Sequence, residues 1–239
     1  MPAITYLLLF ISVMISGSSV FLFKATKGIY LKLLLAFSGA YLFSLCVLHL
    51  IPEIYQRNSS SIGIFILIGF FFQIVLEFFS EGIEHGHVHI HKNHSHIFPL
   101  SIMIGLCLHS FFEGMPLAQS YSEPSVFNSL LIGIILHHLP ISFALMTLLL
   151  NSGLTKSKAL IMLMIFAIMC PLGAVVSNTL TNNISFNANL FADRMMAIVI
   201  GIFLHISTTI LFETSEEHRF NFYKFITILV GAGLALITL

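Results

Sequence analysis

The sequence has 239 residues, of which 57% are hydrophobic and 8% are charged, and its formal net charge is zero. So apolar a composition argues against a soluble globular domain and predicts an integral membrane protein. Ten basic residues balance ten acidic ones without forming a basic block, so neither nucleic-acid binding nor anchoring to an anionic surface finds support.

Apolar stretches along the chain predict eight transmembrane helices, because a helix needs about 20 apolar residues to cross the hydrocarbon core. The predicted spans are 4–23, 31–55, 62–80, 98–119, 126–150, 159–180, 194–213 and 222–239. The last of these is barely long enough. Short connections join the spans, which predicts a single all-α transmembrane domain over residues 1–239.

Basic residues predict the orientation of these spans. Lys24 and Lys27 follow the first span, which has no cleavage site after it and is interpreted as a retained helix. If both lysines are cytoplasmic, the N-terminus lies outside, and only Arg57 and Arg194 of the ten basic residues face the outside. This bias agrees with the positive-inside rule.

A histidine-rich loop of about residues 80–97, SEGIEHGHVHIHKNHSH at its start, separates the third and fourth spans. The orientation above makes it cytoplasmic. Its acidic residues and histidines are Glu81, Glu84, His85, His87, His89, His91, His94 and His96. Imidazole nitrogens in such a segment can bind Zn²⁺ without a fixed fold. The alternative is a solvated linker, or a weak metal buffer outside the main activity.

Two motifs place ionisable groups in the middle of spans, HSFFEG from His109 in the fourth and HHLPIS from His137 in the fifth. Such groups are costly in a membrane and usually serve transport or chemistry. Glu113 is four residues after His109 and therefore on the same helix face, while His137 and His138 lie at the same depth in the next span. Together they predict a site for Zn²⁺, Fe²⁺ or Mn²⁺; one such histidine alone would favour a hydrogen-bonded core role.

Further polar residues extend a line through the membrane on both sides of this site. His49 and Glu53, spaced i,i+4, are near the outer end of the second span. Two stripes of period four run toward the inner end: His205, Thr209 and Glu213 in the seventh span, and Gln73, Glu77 and Glu81 in the third. They predict a cation path from outside to inside. The alternative is that the flanking carboxylates snorkel to the interface.

The motifs together resemble the ZIP family of divalent-metal transporters. They are HLIPE in the second span, HSFFEG in the fourth, HHLP in the fifth, PLGA in the sixth and the histidine-rich loop. The resemblance implies inverted repeats of spans one to three and six to eight around spans four and five. It also implies uptake of Zn²⁺ as the substrate, with Fe²⁺, Mn²⁺ and Cd²⁺ as alternatives, and no separate cofactor.

Within that resemblance, His109, Glu113 and His137 match the family's metal ligands, and Ser110 stands where a second-site Asn often lies. The chain departs from the family after the fifth-span proline, where Ile141 replaces the usual His or Glu. Cys170 also stands where some two-metal members have Glu. We therefore expect a single-metal site, completed by His138, His205 or water, that prefers Zn²⁺ to Mn²⁺.

Two other functions are compatible with the same residues. An intramembrane zinc hydrolase would use Glu113 or Glu213 as general base, although the sequence has no HExxH motif. Metal efflux would differ from uptake only in direction. The compact chain with minimal loops favours a bacterial inner membrane, and its small-residue faces are compatible with a homodimer.

Overall fold

A computed structural model describes residues 3–22, 28–57, 61–80, 100–119, 121, 124–183, 188–212 and 222–238. Throughout these ranges the regular structure is helical, which confirms the all-α prediction. Several predicted metal-contacting residues lie outside the described ranges: Glu81, His85, His87 and His89 of the histidine-rich loop, and Glu213 after the seventh span.

The helices follow the apolar stretches closely. They are α1 (Ala3–Ser18), α2 (Gly28–Leu45), α3 (Ile51–Arg57), α4 (Ile62–Ser80), α5 (Leu100–Gly114), α6 (Pro124–Asn151), α7 (Lys156–Asn183), α8 (Ala188–Phe212) and α9 (Phe222–Ile237). Short 3₁₀ segments extend α1 and α5, and a π turn at Cys46–Leu50 joins α2 to α3.

In chain order, α1, the joined α2 and α3, and α4 to α9 correspond to the eight predicted spans. Seven of these units are long and apolar enough to cross a membrane. The eighth, α9, is apolar but has 16 residues, which gives a length of about 24 Å against a hydrocarbon core of about 30 Å. The described part of the chain is thus a multi-span, all-α membrane protein.

The helices pack into two groups. In the first group α5 packs on α7, and α1 packs on both α6 and α7. In the second, α4 packs on α8, and α2 packs on α8 and α9. Contacts of α4 with α5 and of α2 with α6 join the two groups. The two helices that carry the central motifs, α5 and α6, therefore belong to the first group and face the second.

Glycines allow the closest helix contacts in each group. A Cβ atom at Gly114 of α5 would overlap the carbonyl oxygen of Cys170 on α7, and one at Gly173 would overlap that of Phe111. Gly69 of α4 and Gly201 of α8 make the same kind of backbone contact between their helices. Small residues permit such packing where lipid supplies no hydrophobic driving force. The close approach fixes the α5 backbone next to Glu113.

Candidate metal centre

Four ionisable side chains of the central motifs meet at the boundary of α5 and α6. His109, Glu113 and His137 are completely buried, and His138 is 1% exposed. The α5 pair shares a face because its residues are one turn apart. The two α6 histidines lie at the same depth as the α5 pair, and all four side chains therefore meet.

Three of these side chains point ligand atoms at one another. Oε1 of Glu113 lies 3.1 Å from His109 Nε2 and 3.9 Å from His137 Nε2. One ligand atom from each of the three residues, an imidazole nitrogen or a carboxylate oxygen, lies within 4.8 Å of the ligand atoms of the other two. Donors bound to a tetrahedral zinc ion at 2.0–2.1 Å are roughly 3.3 Å apart. A divalent cation would therefore need only small shifts to contact all three.

His138 approaches the other oxygen of the same carboxylate. Its Nε2 atom is 2.6 Å from Glu113 Oε2. The imidazole ring also packs against the buried Phe166, with ring centroids 5.7 Å apart. The two carboxylate oxygens thus face different partners: Oε1 faces His109 and His137, and Oε2 faces His138.

Gln73 of α4 contacts the His109 nitrogen that is on the other side of the ring from Glu113. Oε1 of Gln73, a fully buried side chain, lies 3.3 Å from His109 Nδ1. A carbonyl oxygen only accepts hydrogen bonds, so His109 Nδ1 donates and the lone pair of the neutral ring sits on Nε2. That nitrogen faces Glu113. Gln73 therefore selects the tautomer that a metal ligand needs.

The cluster lies between two apolar core regions. One contains Ile134 and Leu117, on one side of the histidines along α6 and α5, and the other contains Ile141 and Leu106, on the other side. Ile141, which directly follows Pro140 in α6, is fully buried in this second region. Charge interactions in so apolar a setting are much stronger than in water.

The remaining predicted neighbours of the centre are buried beside it. Ser110 is 1% exposed on α5 next to His109, and Cys170 is 1% exposed on α7. Cys170 contacts the site's helix through its backbone at Gly114. The group of three ligand atoms found among the described residues does not include Cys170.

His205 forms a second, smaller contact near the C-terminal end of α4. Its Nε2 atom is 3.5 Å from Oε2 of Glu77, across the α8–α4 interface, and the Phe70 ring packs against its imidazole at 4.9 Å. Thr209 donates to the His205 carbonyl oxygen at 2.9 Å. The two predicted stripes therefore meet at His205 and Glu77, separate from the group of three in the centre.

At the opposite end, Glu53 forms an ion pair with Arg57 one turn later. The guanidinium of Arg57 lies 6.0 Å from the centre of the Tyr121 ring. Burial raises the pKa of Tyr121 above its ordinary value, and its protonated phenol donates to the Pro116 carbonyl oxygen at 2.8 Å. His49 lies one turn before Glu53, in the π turn, and is partly buried.

Asp193 is a buried carboxylate that the sequence analysis missed. It is 8% exposed near the start of α8, and the charges of Arg57 and Glu53 act on it. The predicted seventh span began at residue 194, one position too late to include it, whereas α8 begins at Ala188. The signal was available: an acidic residue directly before an arginine at the edge of an apolar stretch.

Comparison with known proteins adds a match to one family. The sequence model of a family described as "ZIP Zinc transporter" matches residues 84–238. Protein zntD of Dictyostelium discoideum is 25% identical over 173 residues, which cover 66% of this chain and 25% of that protein. Zinc transporter ZIP9 of Micropogonias undulatus is 26% identical over 129 residues, which cover 52% of this chain and 40% of that protein. The chain thus matches well under half the length of both relatives.

Proposed function

The chain belongs to the ZIP family of zinc transporters, and from this premise we propose that it carries a divalent metal cation, foremost Zn²⁺, across a membrane into the cytoplasm. The observation that carries the proposal is the buried group of His109, Glu113 and His137, with one ligand atom from each within 4.8 Å. Ionisable groups this deep in an apolar bundle are costly unless they serve a function.

The chemistry of the donors favours zinc. Two imidazoles and one carboxylate suit Zn²⁺, whereas Mn²⁺ prefers sites richer in oxygen. Fe²⁺ and Cd²⁺ are the next candidates. Transport further requires that the site also release the ion. Zinc is the cargo in this proposal, and no cofactor is needed.

We propose that the ion follows the polar line through the membrane. His49 and Glu53 receive it on the outer side, and the central group holds it next. The 3.5 Å approach of His205 to Glu77 supports a further step toward the cytoplasm. The path ends at Glu213, Glu81 and the loop histidines His85, His87 and His89.

Transport through such a site requires a conformational change. Within the described part of the chain the central side chains are at most 1% exposed and lie between two apolar regions, so an ion reaches them only if the helices move. We propose that one set of helices rocks against the central helices α5 and α6 and opens the site to each side in turn.

The orientation follows from the distribution of charge, and the bacterial setting from the compact chain with short loops. We propose an outside N-terminus, because this choice leaves only two of the ten basic residues outside. We also propose a single transporter domain over residues 1–239, in a bacterial inner membrane, with a second copy of the chain as its partner in a homodimer.

The test is zinc flux into proteoliposomes that contain a fluorescent zinc indicator. We expect flux with the wild-type chain, and its loss in His109→Ala. His218→Ala is the control, because it removes a histidine to which no step of the path is assigned, and it should retain flux. A wild-type protein that binds zinc stoichiometrically and gives no flux would overturn transport and favour the hydrolase.

A further inference from the structure

We propose that His138 is a positioning residue that holds the Glu113 carboxylate, and that it is not a ligand of the transported ion. The proposal rests on the proposed function in one respect, that a metal ion binds at Glu113. It changes the assignment of the adjacent histidine pair, since only His137 of the two would contact the metal.

The first argument is the proton on His138 Nε2. This nitrogen is 2.6 Å from Glu113 Oε2, within hydrogen-bond distance. When the carboxylate is ionised it can only accept, so Nε2 then carries the hydrogen, unlike His109, whose hydrogen lies on Nδ1 toward Gln73. A ring nitrogen that bears a hydrogen has no lone pair for a metal ion.

The second argument concerns the other ring nitrogen. The two nitrogens of an imidazole point in divergent directions, so with Nε2 on Oε2 the Nδ1 atom points away from the carboxylate. His138 Nδ1 is buried and has no hydrogen-bond partner within the described part of the chain. The ring is also held by Phe166, which opposes a flip that would exchange the two nitrogens.

The third argument is that the two carboxylate oxygens of Glu113 contact different residues. Its Oε1 atom faces both His109 and His137, so the hydrogen bond from His138 to Oε2 fixes the rotation of the carboxylate with Oε1 toward those imidazoles. The same bond occupies the oxygen through which a carboxylate would bridge to a second cation. We therefore expect one metal ion per chain at this centre.

Two substitutions of equal size distinguish a positioning role from a ligand role. His138→Gln keeps an N–H donor of similar reach, but its amide is a poor zinc ligand. His138→Glu supplies a zinc ligand but no donor, and it places a second negative charge beside Glu113. His138→Leu removes both properties. Zinc affinity is measured on the purified chain in detergent, by competition with a chromophoric chelator, together with the KM for zinc flux in proteoliposomes.

Loss of a group that orients a metal ligand typically weakens binding about 10- to 100-fold, so we expect that loss in His138→Leu and His138→Glu. We expect His138→Gln to recover most of the affinity, to shift the KM in parallel, and to bind one zinc ion. Recovery in His138→Glu with loss in His138→Gln would make His138 a ligand and overturn the proposal. Equal loss in both variants, or two ions per wild-type chain, would also overturn it.

Failure of this proposal can be separated from failure of the proposed function. If His109→Ala leaves wild-type zinc binding unchanged, the central group does not bind the metal and the proposed function itself fails. If His109→Ala abolishes binding while the His138 variants follow the ligand pattern, the proposed function stands and only the positioning role is wrong.

Discussion

Glu113, at the centre, and Glu53, at the end of the bundle that we propose faces outside (the outer end), are both carboxylates with a partner one helical turn away, yet their surroundings differ. The Glu113 side chain is fully buried, and the side chains that form its ion-pair contacts among the described residues are all imidazoles. The Glu53 side chain is 10% exposed, and its partner Arg57 is 28% exposed. An imidazole can give a lone pair to a metal ion, whereas a guanidinium has none to give.

The difference favours Glu113 over Glu53 as the carboxylate that holds the proposed cation. Glu53 already has a fixed positive charge beside it, and a partly exposed ion pair of this kind contributes about 0–1 kcal/mol. Glu113 has no such fixed charge among the contacts above, and disrupting a buried charged group costs several kcal/mol. Substitutions at the centre should therefore have larger effects than matched substitutions at the outer end.

The largest effect is expected when the carboxylates themselves are neutralised. Glu113→Gln removes the negative charge from the group of three ligands, so zinc affinity should fall by more than the roughly 10- to 100-fold typical of losing an orienting partner. Glu53→Gln is the matched control and should retain measurable zinc flux. Chelator competition and proteoliposome flux measure the two quantities. Equal losses in both variants would contradict the comparison.

The next effect concerns the groups behind the ligands. Gln73→Leu removes the acceptor that fixes the His109 tautomer, and zinc affinity should fall about 10- to 100-fold. Gln119→Leu is the same change at the outer end, where the Gln119 side chain donates to the Ala192 carbonyl oxygen at 2.6 Å. We expect the zinc affinity of that variant, measured by the same chelator assay, to stay within about threefold of wild type. That change is small compared with the roughly 10- to 100-fold loss typical of removing an orienting partner. Unchanged affinity in Gln73→Leu would refute the orienting role.

Adding a methyl group near the centre should also destabilise the protein more than adding one near the outer end. Gly114→Ala forces a Cβ against the Cys170 backbone, and such overpacking typically lowers the free energy of unfolding by about 1–3 kcal/mol. Gly63→Ala, near the outer end of α4, meets only the Tyr55 hydroxyl at 3.2 Å, and that exposed side chain can move. Thermal melting in detergent should show a clear drop for the first variant only. A stable Gly114→Ala protein would mean that α5 and α7 can separate freely.

The smallest effect is expected at the outer ion pair. Arg57→Gln frees Glu53, but a partly exposed pair is screened by salt, so stability should change by about 1 kcal/mol or less. The KM for zinc should fall modestly at low salt, because the freed carboxylate attracts the incoming cation, and the difference should shrink at high salt. Uptake assays at two salt concentrations measure this. Loss of flux in Arg57→Gln would show that the pair is essential to the path.

The sequence was sufficient for features that depend on spacing along one helix. The apolar stretches predicted the all-α, multi-span fold, and the i,i+4 relation of His109 and Glu113 predicted their shared face. The Gln73 and His138 contacts could not be predicted in the same way, because they depend on how α4, α5 and α6 are rotated about their axes. Spacing along one chain segment contains no measure of that rotation.

Two further features could not be predicted for a similar reason. Asp193 was missed because hydropathy marks where a span becomes apolar, while α8 continues beyond that point to Ala188. His205 was considered for the central site on depth alone, and its contact with Glu77 depends on the α4–α8 packing that Gly69 and Gly201 permit.

The π turn at Cys46–Leu50 bears on how this chain tolerates changes in length. A turn closed by an i→i+5 bond, such as that from the Ile51 amide to the Cys46 carbonyl oxygen, contains one residue more than an α-helical turn. Deleting one residue within the turn would restore a regular helix and leave Glu53 and Arg57 in register with α2. Deleting one residue elsewhere in α2 would instead rotate everything beyond it by about 100°. Of these positions, the π turn is where a one-residue deletion is best accommodated.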